Sequence, residues 1–187
     1  MRIIAGKYKS RAVKPPKSGG VRPTSDKVKG ALFNILEPWT DTHVLDLYSG
    51  TGNLGIEALS RGAVEVYFVD HEPLNLKLIR ENLAELGLKE GLGPPHLKLL
   101  LQEVAQAFYQ LHKDAKTFDV ILADPPYEPG AAKIVQNLLK QYPILKPGGF
   151  LAIEHGEKDP DLEAEFTMEL VRQRKYGETL LTLFKAP

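Results

Sequence analysis

The stretch VLDLYSGTGNLGIEAL (44–59) decides the fold of this 187-residue chain, because it predicts three consecutive pieces of local structure. The apolar residues of 43–48 predict a buried strand, and residues 54–61 predict a short helix. Between them, Gly50, Gly52 and Gly55 match the spacing G-x-G-x-x-G. Glycines permit a tight turn, and the start of a helix offers free backbone N–H groups. The stretch therefore predicts a ligand-binding loop between a strand and a helix.

Outward from this stretch, short apolar runs alternate with helical patterns. Further strands are predicted at residues 64–70, 97–101, 118–124 and 150–155, and helices at 73–87, 103–112 and 130–141. Near the C-terminus, FTMELVRQ and ETLLTLF, joined through RKYG, predict a hairpin. Strands that alternate with helices predict an α/β fold, a parallel sheet with helices on both faces. In such sheets ligands bind beyond the carboxyl ends of the strands.

Two acidic residues accompany the glycine loop. Asp70 ends the second strand, twenty residues after Gly50, where a carboxylate can accept both hydroxyls of a ribose. A dinucleotide-dependent oxidoreductase would use the loop for a pyrophosphate, whereas a methyltransferase would use it for the methionine portion of S-adenosylmethionine. Asp46, four residues before Gly50, is awkward beside a pyrophosphate and useful near a cationic amino group. The loop favours a methyltransferase and leaves the oxidoreductase open.

The tetrapeptide Asp124-Pro125-Pro126-Tyr127 ends the fourth predicted strand and is the strongest chemical signal in the chain. The exocyclic amine of a base is a poor nucleophile, and acceptors on its hydrogens help it to attack. The Asp124 carboxylate and the Pro125 carbonyl can supply such acceptors, and the two prolines stiffen the backbone around them. Tyr127 offers a face on which an extruded base can stack. The motif therefore predicts methyl transfer to a base amine. An oxidoreductase has no evident use for such a motif.

Charge is distributed unevenly along the chain, although the formal net charge is zero. Residues 1–30 contain nine cations and one acid, so they carry a net +8, balanced by −8 in the remainder. A basic segment on an acidic body suggests a polyanionic partner. We therefore predict that residues 1–23 form a basic arm that contacts RNA and contributes little to folding, and that residues 24–187 form the catalytic domain.

Several classes of protein are disfavoured by composition. The chain has no cysteine, which excludes disulfides, thiolate metal sites and thiol nucleophiles. Its five histidines show no metal-ligand spacing, so no metal is predicted. The N-terminus has no apolar stretch long enough for a signal peptide, and no apolar run approaches the length of a membrane span. A cytoplasmic location is expected by default.

Taken together, these motifs resemble the bacterial 16S rRNA guanine-N2 methyltransferases of the RsmD type. The resemblance rests on RIIAGKYKSR (2–11), RPTSDKVKGALFNIL (22–36), the glycine-loop stretch, FVDHEP, ADPPY and the late KYGET, in the order of that family. It implies a class I methyltransferase fold, Rossmann-like, whose seven-stranded, mostly parallel sheet has an antiparallel last strand. It also implies S-adenosylmethionine as the methyl donor and a single guanine in a hairpin loop of 16S rRNA as the substrate.

The resemblance further implies individual site residues. Its signatures contain the cations Lys7, Lys9, Arg11 and Arg22, which we expect to bind RNA, within a small-subunit assembly particle or on free rRNA. Where the family usually has an Asp-Ala-like pair that holds the adenine, this chain reads LLQEVAQAF, and Glu103 stands in place of the aspartate. Amino-methyltransferases that act on adenine or cytosine in DNA share the DPPY tetrapeptide. A DNA amine therefore stays open as the alternative substrate.

Overall fold

The computed structural model describes residues 1–15, 26–126, 128, 130–157, 162 and 167–187. Strands and helices alternate through this part of the chain, as the sequence predicts. The helices are α1 Asp26–Ile35, α2 Asn53–Arg61, α3 Pro73–Glu85, α4 Val104–Lys113 and α5 Ala131–Gln141. The strands are β1 His43–Leu47, β2 Glu65–Asp70, β3 His96–Leu101, β4 Phe118–Ala123, β5 Leu145–Gly156, β6 Glu169–Tyr176 and β7 Thr179–Lys185.

These seven strands form one sheet in the order β3-β2-β1-β4-β5-β7-β6. The strands β1 to β5 run parallel to one another, whereas β7 is antiparallel to both β5 and β6. The predicted fold class, a seven-stranded α/β sheet with an antiparallel last strand, is confirmed. The strand order reverses between β1 and β4, which is where open α/β sheets bind ligands beyond the carboxyl ends of their strands.

Apolar side chains of the strands alternate between the two faces of the sheet. Val44 and Phe68 pack with side chains of α1, α2 and α3 on one face, whereas Leu45 and Ile121 pack with α4 and α5 on the other. Because both faces are covered, the open positions for a ligand lie along the carboxyl edge. The loops after β1, β2, β3 and β4 therefore meet there.

Residues 1–15 form an N-terminal hairpin that packs on the sheet domain. Ile3 and Val13 are almost fully buried, in the core cluster that also contains side chains of α1, α2 and α3. The expectation that residues 1–23 contribute little to folding is therefore wrong for residues 1–15. These two apolar side chains stand among cations that face solvent, and the density of charge gave no sign of their burial. The predicted boundary at residue 23 lies outside the described residues.

Lys29, one of the cations in the basic segment, is internal. Its Nζ donates to the backbone oxygen of Arg2 and to Asn53 Oδ1, both at 2.7 Å, and lies 3.3 Å from Glu57 Oε2. Burial lowers the pKa of Lys29, and the Glu57 charge opposes that shift. Glu57 also accepts hydrogen bonds from two backbone N–H groups of the N-terminal hairpin. This buried network ties the hairpin and α1 to the first residue of α2, and it removes Lys29 from any surface that could contact a nucleic acid.

Candidate functional site

The glycine loop joins β1 to α2, and two of its glycines are required by the backbone. Gly52 has a φ of 76°, a left-handed value that L side chains rarely adopt. A Cβ at Gly55 would lie 2.3 Å from the Phe68 ring and 2.9 Å from Asp46 Oδ2. The absence of a side chain at Gly55 thus lets α2 lie close to β2 and brings its N–H to Asp46. The first turn of α2 consequently stands directly beyond the carboxyl end of β1.

Asp70, at the end of β2, is held in place by the loop it was predicted to accompany. Its Oδ2 accepts the Gly50 N–H at 2.8 Å, and its Oδ1 accepts the Glu72 N–H at 2.9 Å. The Asn75 amide donates to both carboxylate oxygens at 3.1 Å. These bonds fix the orientation of the carboxylate at the carboxyl edge. The geometry is compatible with the predicted ribose contact, which stays a prediction.

Asp46 is buried inside the sheet below the loop, with an exposed fraction of 1%. Its Oδ2 accepts the Gly55 N–H at 2.9 Å. Burial raises the pKa of Asp46 well above its ordinary value, and the negative charges of Asp124 and Asp70 add to that rise, whereas the Gly55 hydrogen bond opposes it. The Asp46 carboxyl group therefore holds its proton more readily than an exposed aspartate does. A positively charged ligand close by would lower this pKa and favour the ionised form.

Asp124 follows β4 directly, at the centre of the carboxyl edge between β1 and β5. Its side chain is half-buried, Pro125 is buried and Pro126 is exposed. The predicted motif thus leaves the core beside the end of β1, because Leu122 and Ala123 pair with Asp46 and Leu47. Tyr127 lies outside the described residues, so its stacking role stays a prediction.

The residues after β3 reach the same edge, and one of them was missed by sequence reasoning. Glu103 begins the α4 turn with an exposed side chain, and its charge helps to raise the pKa of the half-buried Tyr48, after burial itself. Gln102, its neighbour, has a buried amide Oε1 without a hydrogen-bond partner among the described residues. A buried acceptor without a donor is costly, by about 1–3 kcal/mol, so a donor that reached Gln102 Oε1 would stabilise the structure. Its position directly after a predicted strand was the signal that could have found it.

The predicted RNA-binding cations that the structure describes, Lys7, Lys9 and Arg11, do not lie at this edge. The Lys7 N–H donates to the Ser60 carbonyl oxygen at 2.6 Å, and Lys9 lies in the same turn of the hairpin. Ser60 is near the C-terminal end of α2, whose nine residues span about 13 Å from the glycine loop. Arg11 donates to a backbone oxygen at the end of α3 at 2.6 Å. Arg22 lies outside the described residues.

Two features are absent from the part of the chain that the structure describes. It contains no cluster of three or more His, Asp or Glu side chains that could hold a metal ion. None of its helices combines the length and apolar character needed to cross a membrane.

Comparison with known proteins places this geometry in a family. A family described as Conserved hypothetical protein 95 matches residues 1–185. The chain belongs to this family. Its membership of the Conserved hypothetical protein 95 family extends over both the N-terminal hairpin and the sheet domain, so neither part is an addition peculiar to this chain.

Individual relatives match almost from end to end. A Bacillus subtilis protein is 33% identical over 99% of this chain and 98% of its own length. A Haemophilus influenzae protein named Ribosomal RNA small subunit methyltransferase D is 31% identical over 99% of this chain and 93% of its own length. The solved structure of a Thermus thermophilus hypothetical protein has a TM-score of 0.81 at 26% identity, covering 98% of each chain. The resemblance to the RsmD type of methyltransferase is therefore confirmed.

Proposed function

We propose that this chain transfers a methyl group from S-adenosylmethionine to the exocyclic N2 amine of a guanine in small-subunit rRNA. The observation that carries this proposal is that the Asp46 and Asp70 carboxyl groups accept the N–H groups of Gly55 and Gly50, next to the strand that ends before Asp124. Carboxylates beside the loop favour a cationic ligand, and S-adenosylmethionine carries a sulfonium and an ammonium group. The same carboxylates would repel the pyrophosphate of a nicotinamide dinucleotide, which argues against the oxidoreductase alternative.

The residues present fit this cofactor. The glycine loop and the buried Asp46 would hold the methionine portion, with the carboxylate facing the ammonium group. Asp70 would accept from the ribose hydroxyls. Gln102 Oε1, which has no partner in the described part of the chain, and the exposed Glu103 would receive donors from the adenine. When bound, S-adenosylmethionine supplies an electrophilic methyl group on sulfur.

Asp124 and Pro125 would hold the target amine. The carboxylate and the proline carbonyl accept its two hydrogens, which directs the nitrogen lone pair towards the cofactor. The stiff Asp-Pro-Pro frame keeps these acceptors aligned, and alignment supplies much of the rate in such a transfer. The nitrogen forms a bond to the methyl carbon as the bond from that carbon to sulfur breaks and leaves a neutral thioether. The nitrogen then releases one proton to water, so no general base is needed. Tyr127 would stack on the extruded base.

The rRNA substrate is supported by the family relationship and by the basic hairpin. The Haemophilus influenzae relative is named for the small ribosomal subunit. Lys7, Lys9, Arg11 and Arg22 would contact RNA phosphates away from the reacting base. We infer a cytoplasmic reaction from this substrate, on free rRNA or in an assembly particle.

Methyl transfer with isotope-labelled S-adenosylmethionine tests the proposal. Deproteinised small-subunit rRNA, small subunits, assembly intermediates and DNA would be offered in parallel, and the products would be digested to nucleosides for mass spectrometry. We expect N2-methylguanosine from an RNA sample. Label on adenine or cytosine in DNA would establish the alternative substrate, and cofactor binding without transfer to any of the samples would contradict the proposal.

A further inference from the structure

The edge strand β6 carries a group of cations that the functional motifs did not include. Its sequence ELVRQRKY contains Arg172, Arg174 and Lys175, all with exposed side chains. Lys175 pairs with Glu157 at 2.5 Å. Within the described ranges, neither arginine forms an ion pair. Two guanidinium groups are therefore presented to solvent by β6, just after an irregularity in its pairing with β7 between Leu170 and Arg172.

The register of the sheet places these arginines at the edge where the proposed chemistry occurs. β6 runs parallel to β4 and β5, since both β5 and β6 are antiparallel to β7. Arg174 pairs with Leu181 of β7, and Leu181 pairs with Glu154 of β5. On β5, Glu154 follows Ile153, which pairs with Ala123, the last residue of β4. Asp124 follows Ala123, so the row of paired residues continues from Glu154 to Asp124. Three strand spacings, about 14 Å, separate the backbone of Arg174 from that of Asp124.

The two arginines also share one face of the strand. Residues two apart in a strand point to the same side and lie about 7 Å apart, which suits neighbouring phosphates of an extended nucleic-acid strand. Arg172 and Arg174 lie opposite Leu183 and Leu181, which pack in the core cluster that contains α1. The planar guanidinium group binds phosphate oxygens in a bidentate manner, which a lysine ammonium does not.

We propose that Arg172 and Arg174 bind backbone phosphates of the RNA substrate that flank the target nucleotide. This inference rests on the proposed function, because it concerns the same substrate. Extrusion of a base requires that the adjoining backbone be held near the reacting site. Lys7 and Lys9 lie at the far end of α2, whereas Arg174 lies in the same cross-strand row as the site. The β6 arginines are therefore better placed than the hairpin cations to hold that backbone.

A different role for the same residues makes a different prediction. Charged side chains on an edge strand can prevent pairing with another chain, and β6 begins with the exposed Leu170 and Val171. If the arginines acted only in this way, their loss would cause self-association and leave RNA affinity unchanged. Charge complementarity and position favour RNA, and the two roles are separable by experiment.

The test compares the full-length wild type with an Arg172→Gln/Arg174→Gln variant. Binding to a labelled hairpin from the methylated rRNA region, or to whole deproteinised small-subunit rRNA, would be measured at several salt concentrations. Loss of two phosphate contacts on single-stranded RNA should make the slope of log K against log[salt] less negative by about 1.4. The KM for RNA should rise more than kcat falls, and calorimetry should show an unchanged affinity for S-adenosylmethionine. Arg172→Lys/Arg174→Lys should keep the slope and lose part of the affinity.

A matched control removes two exposed cations from the opposite edge. Lys113 and Lys140 lie in the last turns of α4 and α5, and Lys113→Gln/Lys140→Gln should leave the slope and KM at wild-type values. A wild-type slope and KM in the β6 variant, or a change equal to that of the control, would overturn the inference. Self-association of the β6 variant with unchanged RNA binding would do so as well. If the wild type itself neither binds nor methylates RNA, the proposed function fails, and the inference fails with it.

Discussion

The buried carboxylate of Asp46 accepts a hydrogen bond from the backbone N–H of Gly55 at 2.9 Å, across nine residues of the glycine loop. This bond links the interior of β1 to the first turn of α2, and it depends on glycine because a side chain at residue 55 would meet Phe68 and Asp46 itself. One contact thus explains both the third glycine of the motif and the acid that precedes it. It also places a buried carboxyl group below the loop, where a bound cation would favour its ionised form.

Asp46→Asn should have opposite effects on stability and on cofactor binding. Burial raises the pKa of Asp46 above its ordinary value of 3.8, so the folded protein holds a proton that the unfolded chain has already lost. Stability from this group is therefore lost as pH rises from about 4 through the raised pKa. In thermal melts, the variant should lose less stability than the wild type as pH rises from about 4 through the raised pKa of Asp46. It should bind S-adenosylmethionine more weakly, because an amide cannot ionise in response to the ammonium group as the Asp46 carboxyl group can. Parallel stability curves and equal affinities would contradict this.

Asp70→Asn should weaken binding of S-adenosylmethionine by about 10- to 100-fold, as expected for a lost hydrogen bond to a charged group worth roughly 1.5–3 kcal/mol. Calorimetric titration measures this effect. Asp119→Asn provides the control, since Asp119 accepts the His43 N–H at 2.8 Å and pairs with Lys146 at the other end of β4. That variant should lower stability without changing cofactor affinity. Wild-type affinity in Asp70→Asn would remove the ribose assignment.

Gln102→Met should weaken cofactor binding while leaving the free protein as stable as the wild type or more so. The substitution removes a buried acceptor that has no donor among the described residues, and such a group costs about 1–3 kcal/mol. Gln136→Met is a matched control, because Gln136 has a buried amide nitrogen that likewise lacks a partner there, on α5. Gln136→Met should likewise leave the free protein as stable as the wild type or more so, and it should not change cofactor affinity. Weakened binding in Glu103→Gln but not in Gln102→Met would assign the adenine contact to Glu103.

Asp124→Ala should leave cofactor affinity largely intact and reduce methyl transfer strongly. An acceptor for the target amine is lost, whereas the glycine loop and Asp70 are untouched. Single-turnover assays with saturating cofactor measure the chemical step. In the same assay, Tyr127→Phe should be mild and Tyr127→Ala severe, because a base stacked on an aromatic ring is worth roughly 1–3 kcal/mol. A fully active Asp124→Ala would refute this mechanism.

Ile3→Ala should destabilise the whole domain, by about 2–5 kcal/mol, as expected for truncation of a fully buried isoleucine. Denaturant unfolding measures the loss. Lys9→Ala, at an exposed position in the same hairpin, should change stability by less than about 0.5 kcal/mol. An Ile3→Ala variant with wild-type stability would show that the hairpin folds independently of the sheet domain.

The strand β5 begins earlier than the sequence predicts. The stretch KPGG (146–149) predicts a turn before a strand at 150–155, whereas β5 extends over Leu145–Gly156. Leu145 pairs with Phe118, and regular pairing resumes with Phe150 after an irregularity in the register. Residue preferences alone predict a turn at this irregularity. They cannot show that the strand continues across it, because that continuity depends on hydrogen bonds to β4, which is distant in the sequence.

The sequence by itself determined the alternating α/β order, the glycine loop, the position of Asp46 and Asp70 beside it, and the exit of Asp124 from a central strand. These features follow from local periodicity, glycine spacing and proline stiffness, which act within a few residues of the chain. The tertiary structure decided the docking of the hairpin through Ile3, the burial of Lys29 and the remote location of Lys7. It also decided that Arg174 shares a row with the site. Each of these depends on packing or strand pairing between residues distant in the chain, and such contacts leave no periodic trace in the sequence.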